Sequence, residues 1–489
     1  MEYIAVFDIG TTSIKGVLLD DKAAFTGASS VKLETFYGAD GSVEQGPEDW
    51  WEGILHITSR WWNEWKVEPR HVVMITFSGQ MEDVIPISST PERAILYSDT
   101  RADEEAAEIR GKFPDIQEVL WNTVRASTPA AKLLWMDKHR PDLAQKVEHY
   151  VFSAKDYIIY KLSGAVVTDR TTGSTTGMMN LETGQWEMDY IESLGIDFGK
   201  LPEFHSAKEV AGHVSKEGSL ASGFCENTPV LCGSGDAGAS TMGAGAVSKG
   251  DAYLYMGTTG WVARIQGNDR QDEVVEGAFQ LAHIPDDSVI SIAPLLNVGN
   301  VHQWAVQTFA GGDFKKFEDM LENSPPGANG LLFLPYLHGE RCPVNDPDSK
   351  GAFWGIHPNT EKADFARAVV EGICLSFRQA AGQSAAAQTG NMTVIGGGTK
   401  SRMWCQILAD CLGRPLSVGK ESEYMAALGT ASSAFIQLGW AADHNDFAER
   451  FMAPEEPTVY EPDAERAQLY AEVYERYLKL YPGLRGVYA

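Results

Sequence analysis

The sequence is poor in cysteine and in positive charge. Six cysteines in 489 residues, at 225, 232, 342, 374, 405 and 411, include no Cys-x-x-Cys pair and no histidine partner at zinc-ligand spacing. A disulfide scaffold and a structural zinc site are thereby excluded, and the thiols read as reduced. Lys and Arg number 40 against 67 Asp and Glu, a formal net charge of -27. A surface of that sign repels a polyphosphate backbone and an anionic membrane, so neither nucleic acid nor membrane is expected as a partner. No long apolar run, basic leader or low-complexity linker is present, which predicts a cytoplasmic protein. A hydrophobic fraction of 44% with 22% charged residues is that of a globular chain, and its length predicts two to three domains. The negative field does not bar a nucleotide. A few aimed backbone amides and one metal ion act at contact range, whereas a diffuse field is screened within about 8–10 Å.

What is present begins with an apolar run from Tyr3 to Asp8, a Gly10-Thr11-Thr12 turn and a second run from Ile14 to Leu19. A third extended segment, 28–35, precedes a helix opened by Pro47-Glu48-Asp49, whose acids suit its positive end. Trp50, Ile54, Ile57, Trp61 and Trp65 recur at helical spacing, which predicts one buried face rather than a sugar-stacking platform. A buried strand at 71–77 then leads into Ser78-Gly79-Gln80-Met81-Glu82-Asp83, polar residues at the strand end where α/β sheets carry their sites.

The first turn has an echo. Met256-Gly257-Thr258-Thr259-Gly260 stands about half a chain length after Ile9-Gly10-Thr11-Thr12, again between two apolar runs. The repetition predicts two similarly built domains, 1–247 and 248–489, around a central cleft. Before the boundary, the strand 230–232 runs through Gly233-Ser234-Gly235 to Asp236 and a helix rich in small residues. Strands are also expected at 331–334 and 393–395, and a polar helix at about 463–481.

Two Gly-Thr-Thr turns are suited to a triphosphate, because glycine admits backbone N–H groups to the oxygens and threonine adds hydroxyl donors. Asp8, just ahead of the first turn, can hold Mg²⁺ directly or through water. Asp236 stands between a strand and a helix. It is either a plain helix cap or the carboxylate that collects a hydroxyl proton during phosphoryl transfer, kept ionised by the helix N-terminus. The segment Val394–Trp404 reads as strand, glycine turn and helix, and lacks the spaced Gly-Lys-Ser/Thr of a P-loop. Gly396, Gly398 and Ser401, with Glu421 further on, nearly match a dinucleotide fingerprint, so a nicotinamide-dependent oxidoreductase is the rival reading. It leaves the paired turns unexplained.

Ser127-Thr128-Pro129-Ala130-Ala131-Lys132-Leu133-Leu134-Trp135-Met136-Asp137-Lys138-His139 resembles one signature of the FGGY carbohydrate kinases. Gly351-Ala352-Phe353-Trp354-Gly355-Ile356, followed by Asp364-Phe365 and Ala368-Val369-Val370-Glu371, resembles the second. The resemblance spans nearly the whole chain. It implies an α/β protein of two actin-like, ribonuclease H-like ATPase domains, the N-terminal one mainly sugar-binding and the C-terminal one mainly nucleotide-binding. It further implies ATP-dependent phosphorylation of a small sugar. Pro335–Arg341 and Ser78–Met81 are most similar to the xylulokinase branch with its pentulose and gluconate kinases, which implies a ketopentose such as xylulose. The alternatives are another ketose, a polyol or a sugar acid (the ribulose, glycerol and gluconate classes), or a catalytically silent sugar-responsive protein.

By the same resemblance Asp236 is the catalytic base and Asp8 the magnesium-site acid. Thr11, Thr12, Gly257, Thr258 and Thr259 form phosphate loops, with Lys15 a further candidate, and Gly397, Gly398 and Ser401 fall on the adenosine side. Gln80, Met81, Glu82, Asp99 and Arg101 fall on the sugar side. ATP, Mg²⁺ and a small sugar are the implied ligands, and a homodimer is left open. Two departures stand out: Met81-Glu82-Asp83 where relatives carry Met-His-Gly, and Tyr97 where they carry tryptophan. Glu82, an acceptor when ionised, suits a neutral hydroxyl-rich substrate and disfavours a sugar acid. His338, Glu340 and Cys342 follow no metal spacing and read as a structured interdomain loop. Arg367 and Glu371, four apart on a helix, read as a supporting ion pair.

Overall fold

The computed structural model describes residues 1–267, 277–285, 288–382, 392–418, 424–452 and 457–487. The chain folds into two compact units, one of Met1–Val247 with Gln280–Ile290 and Ser422–Ala453, the other of Ser248–Phe279, Ser291–Glu421 and Pro454–Ala489. The first change of unit falls between Val247 and Ser248. The return of 280–290 and 422–453 to the first unit was not foreseen.

In the first unit the runs expected as strands form β1 (Tyr3–Ile9), β2 (Ser13–Leu19) and β3 (Phe25–Lys32), an antiparallel meander. β4 (Val72–Gly79) lies parallel to β1 on its other side. β5 (Val210–His213) and β6 (Pro229–Leu231) extend the sheet, β6 parallel to β4 and β5 antiparallel at the edge, in the order β5-β6-β4-β1-β2-β3. The helix Pro47–Asn63 covers one face with Trp50, Ile54, Ile57 and Trp61, all fully buried. The expected stripe stops there. Trp65 lies beyond the last turn and is 47% exposed.

The other face is covered by the helices Asp236–Gly243 and Met425–Gln437. Small residues let their backbones meet: a Cβ on Gly429 would fall 2.0 Å from the Ala239 carbonyl, and one on Gly243 2.2 Å from that of Met425. Thr430 Oγ1 donates to Phe77 O of β4 at 2.8 Å, which docks the second helix on the sheet.

The second unit repeats the plan. β7 (Ala252–Met256) and β8 (Gly260–Gly267) form a hairpin, β9 (Ser288–Leu295) follows β8, and β10 (Met392–Ile395) runs parallel to β7. β11 (Leu416–Val418) is parallel to β10, and β12 (Thr458–Tyr460) closes the edge antiparallel. The order β9-β8-β7-β10-β11-β12 matches that of the first unit, as do the directions of β8, β7, β10, β11 and β12, and the short strand Phe279–Ala282 extends the sheet beyond β9. The actin-like arrangement is therefore present twice. The helix Lys362–Ala381 runs through the core behind a capping box of Glu361 and Asp364. Arg367 on it pairs with Glu371 at 2.7 Å, the supporting ion pair expected from their spacing.

Glu340 is buried, accepting from Leu296 N at 2.7 Å and Asn297 Nδ2 at 2.9 Å, so its loop is structured. Among the described residues no cluster of metal-ligating side chains occurs, all six cysteines are free, and no helix is long and apolar enough to cross a membrane.

Candidate active site

The first Gly-Thr-Thr turn joins β1 to β2 and is closed by Gly10 N donating to Ser13 O at 3.1 Å. Thr12 is exposed, while the Thr11 hydroxyl donates to Gln80 Oε1 at 2.8 Å. Gln80 Nε2 donates to Gln45 Oε1 at 3.0 Å, and Gln45 Nε2 to Thr11 O at 2.7 Å, so two buried glutamines clamp the turn. Trp50 Nε1 holds Gln45 from below at 3.0 Å. The Thr11 proton is thus directed to Gln80, and Thr12 is the free hydroxyl of the pair. Gln45 was missed in the sequence because it sits on a three-residue strand, Val43–Gln45, with no local motif.

Asp8 precedes this turn, paired across the sheet with Lys15 of β2 and Ser78 of β4. Burial raises its carboxyl, and the Ser78 hydroxyl and Lys15 ammonium oppose that rise. Lys15 is half-buried, with its ammonium 5.9 Å from the Tyr424 ring.

Asp236 is the first residue of its helix rather than the cap, which is Gly235. The helix amides favour its ionised form, but they do not act alone. Burial, and then the Asp8 carboxylate, push Asp236 up to about 7, although the amides of Ala237 and Asp236 itself favour the charged form. Two acids from opposite ends of the first 247 residues therefore share one electrostatic environment.

The loop after β4 supplies the remaining polar groups. Met81 is buried against Gly235, where a Cβ would fall 2.2 Å from its sulfur, so only glycine lets this loop sit beside Asp236. Glu82 adopts φ +65°, unusual for a residue with a side chain. Its carboxylate accepts from Ser127 Oγ at 2.8 Å, and its carbonyl from Lys132 Nζ at 2.9 Å, both residues of the first signature. Burial lowers Lys132 to about 8 despite the nearby Glu82, Asp83 and Asp99. Asp83 is fully buried with its carboxyl raised well above the ordinary range, and accepts from Tyr97 N at 2.9 Å.

Asp99 and Arg101 are set back. They pair with each other at 2.7 Å, Asp99 holds Val43 N at 2.8 Å, and Arg101 reaches Glu44 at 2.8 Å. They brace the strand that carries Gln45.

In the second unit the Thr258-Thr259 turn is one residue tighter, with Gly257 N donating to Thr259 O at 3.0 Å. Its carbonyls are pinned by the helix Gly299–Ala310: Gly299 N meets Gly257 O and Asn300 N meets Thr258 O, each at 3.0 Å, which leaves both threonines exposed. Beside it opens a cavity of about 750 Å³ whose lining includes Gly257, Thr258, Gly397, Gly398 and Ser401. His302 and Trp404 stack at its wall, 4.5 Å apart and 9° from parallel. Burial lowers His302 to about 4, so it is neutral near pH 7 and brings no charge to the wall. Ser401 caps the helix Arg402–Leu412 through Trp404 N at 3.1 Å and donates to Glu318. His302 was not found from the sequence, because it reaches the cavity from a helix about a hundred residues before the glycine turn.

Residues 3–243 match the N-terminal domain of the FGGY family of carbohydrate kinases, and residues 252–438 its C-terminal domain. The chain belongs to this family. A xylulose kinase from Bacillus subtilis is 27% identical over 98% of this chain and 97% of its own length. A ligand-bound xylulose kinase from Lactobacillus acidophilus superposes with a TM-score of 0.89 at 26% identity, over 100% of this chain and 99% of the other. A gluconate kinase from the same organism does so with 0.90, also at 26% and with the same coverage. As a carbohydrate kinase of the FGGY family the protein is not the oxidoreductase of the rival reading. Of the residues behind that reading, Gly396, Gly398 and Ser401 lie between β10 and the helix Arg402–Leu412, and Glu421 lies outside the described residues.

Proposed function

We propose that this kinase transfers the γ-phosphoryl group of ATP to a hydroxyl of a neutral small sugar, a ketopentose such as xylulose, with Asp236 as the general base. The observation that carries the reading is the pairing of Asp236 with Asp8 beside the Met81–Glu82 loop, which tunes a carboxyl to about 7. In the transfer the sugar oxygen bonds to the γ-phosphorus, the bond to ADP breaks, and the sugar proton passes to the Asp236 carboxylate. The exposed Thr12, Thr258 and Thr259 hydroxyls serve the phosphates, and the His302–Trp404 wall the adenine.

Asp8 fits a magnesium ion. It is an oxygen ligand on a strand of the central sheet, and its own charge burdens Asp236, a burden that a cation would relieve. The ion would supply charge neutralisation for the phosphates. The units divide the labour as the resemblance implies, with the sugar-side residues and both acids in the first and the aromatic cavity in the second. We place the kinase in the cytoplasm, where ATP is available.

The test is ADP release with a panel of xylulose, ribulose, glycerol and gluconate. Xylulose is expected to give the highest kcat/KM, and equal values across the panel would remove the ketopentose assignment. Because Asp236 accepts a proton only when ionised, kcat should fall as pH drops through about 7 and level off above it. A kcat profile unchanged between about pH 5 and 8 would remove Asp236 as the base.

Glu82 sets the substrate charge in this reading. Two like charges about 5 Å apart at an effective dielectric near 20 repel by about 3 kcal/mol, so Glu82→Gln should raise the gluconate-to-xylulose ratio of kcat/KM about 10- to 100-fold. An unchanged ratio would mean that Glu82 does not face the substrate.

A further inference from the structure

Three buried charges in the first unit take no part in the chemistry above. Lys155 and Asp156 stand in the first turn of the helix Ala154–Ser163, and Asp169 ends the strand Val167–Asp169 and caps the short helix that follows. Lys155 Nζ lies 2.9 Å from Asp169 and 2.5 Å from Asp156. Asp156 accepts in addition from Thr168 Oγ1 at 2.8 Å, and Asp169 from Thr172 N at 3.1 Å and Thr172 Oγ1 at 2.7 Å. Taking three ions out of water costs several kcal/mol each before their mutual attraction is counted, and apolar residues of the same volume would pack as well. Stability alone does not explain the cluster.

Its outward contacts do. Gly235 N–H donates to both Asp169 oxygens, at 3.3 and 3.2 Å, and Gly235 is the residue immediately before Asp236. On the other side, Asp83 N donates to Phe152 O at 3.2 Å and Ala154 N to Gln80 O at 3.4 Å, so the segment that carries Lys155 and Asp156 also holds the sugar-side loop.

We propose that Asp169 is a positioning residue for Asp236, and that the Lys155–Asp156–Asp169 cluster fixes the base relative to the loop Gln80–Asp83. The proposal rests on the reading of Asp236 as base. It names the buried device that registers two loops distant in sequence, and a base misplaced by about 1 Å can cost about 100-fold in rate. Asp236 is faced by Asp8 from β1, Asp83 from the loop and Asp169 from beneath. Lys15 offsets Asp8, Lys132 offsets Asp83, and Lys155 offsets Asp169. The Asp169 charge adds to the upward push on Asp236, so its removal has a signature apart from rate.

Asp169→Asn in the full-length protein is expected to lower kcat about 10- to 100-fold, to leave KM for ATP within about twofold, and to move the acid limb of the kcat–pH profile to lower pH. Asp156→Asn does not touch Gly235 and should leave that limb in place. If Asp169→Asn does not fold, Thr172→Val, which removes one donor to Asp169, should give a smaller kcat loss of about 2- to 10-fold at unchanged KM for ATP. A wild-type kcat and limb in Asp169→Asn, or equal losses in Asp156→Asn and Asp169→Asn with the limb unmoved, would overturn the positioning role. Asp236→Asn measured alongside separates the two readings. If it is inactive while Asp169→Asn behaves as wild type, only the positioning role fails, and if it turns over normally both fail together.

Discussion

Asp236→Asn is expected to cut sugar-dependent ADP formation by about 10²- to 10⁴-fold, the range supplied by a positioned general base. The substitution keeps the shape of the side chain and removes only its ability to take a full proton. Nucleotide binding should survive, because the aromatic cavity with His302 and Trp404 belongs to the second unit. The expected pattern is therefore a collapse of kcat with KM for ATP almost unchanged. Steady-state kinetics with saturating sugar read both numbers, and turnover within about threefold of wild type would remove Asp236 as base. The local fold should persist, since Gly235 is the cap of the helix and an asparagine oxygen can still accept from the Ala237 amide. The neutral amide also relieves the repulsion from Asp8, so the variant should be no less stable than the wild type.

Arg367→Met should produce the largest loss of stability. The guanidinium is buried and fully engaged: Nε on Glu371 at 2.7 Å, Nη1 on the carbonyls of Leu321 at 2.8 Å and Ser324 at 3.0 Å, and Nη2 on Tyr470 at 3.1 Å. Its loss strands Glu371, which burial already raises above its ordinary range and whose remaining partners are Tyr470 Oη at 2.7 Å and Gly327 N at 2.9 Å. Breaking one side of a buried pair costs about 3–5 kcal/mol. The urea midpoint of the second unit should fall accordingly, and Arg367→Met combined with Glu371→Leu should regain part of it. A loss below about 1 kcal/mol would mean that Glu371 relaxes into water. Part of the second signature is on this account a record of core construction rather than of chemistry.

Much of the site could be read in the sequence where one local segment states it. The run Tyr3–Asp8 with its Gly-Thr-Thr turn, its echo at 257–259 and the strand-to-helix position of Asp236 depend only on apolar runs and the residues that interrupt them. Trp50, Ile54, Ile57 and Trp61 obeyed the helical period, and Trp65 did not because the helix ends at Asn63. What stayed hidden depends on side chains that arrive from elsewhere. Gln45 gains its meaning from Gln80, Lys132 from the carbonyl of Glu82, and His302 from Trp404. The upward push of Asp8 on Asp236 stayed hidden for the same reason, since the helix amides are local and Asp8 is not.

The discontinuous first unit has a consequence for synthesis. The sheet face formed by Ile4, Val6, Val17 and Leu231 is sealed by Ala427, Ala431 and Phe435, which leave the ribosome about 200 residues later. At about 5–20 residues per second, roughly 10–40 s separate the emergence of the sheet from that of its cover. For that interval the nascent chain carries an apolar face covered only in part, by the helix Asp236–Gly243, the state that general chaperones bind. The first unit thus cannot close until Met425–Gln437 has been synthesised, after most of the second unit.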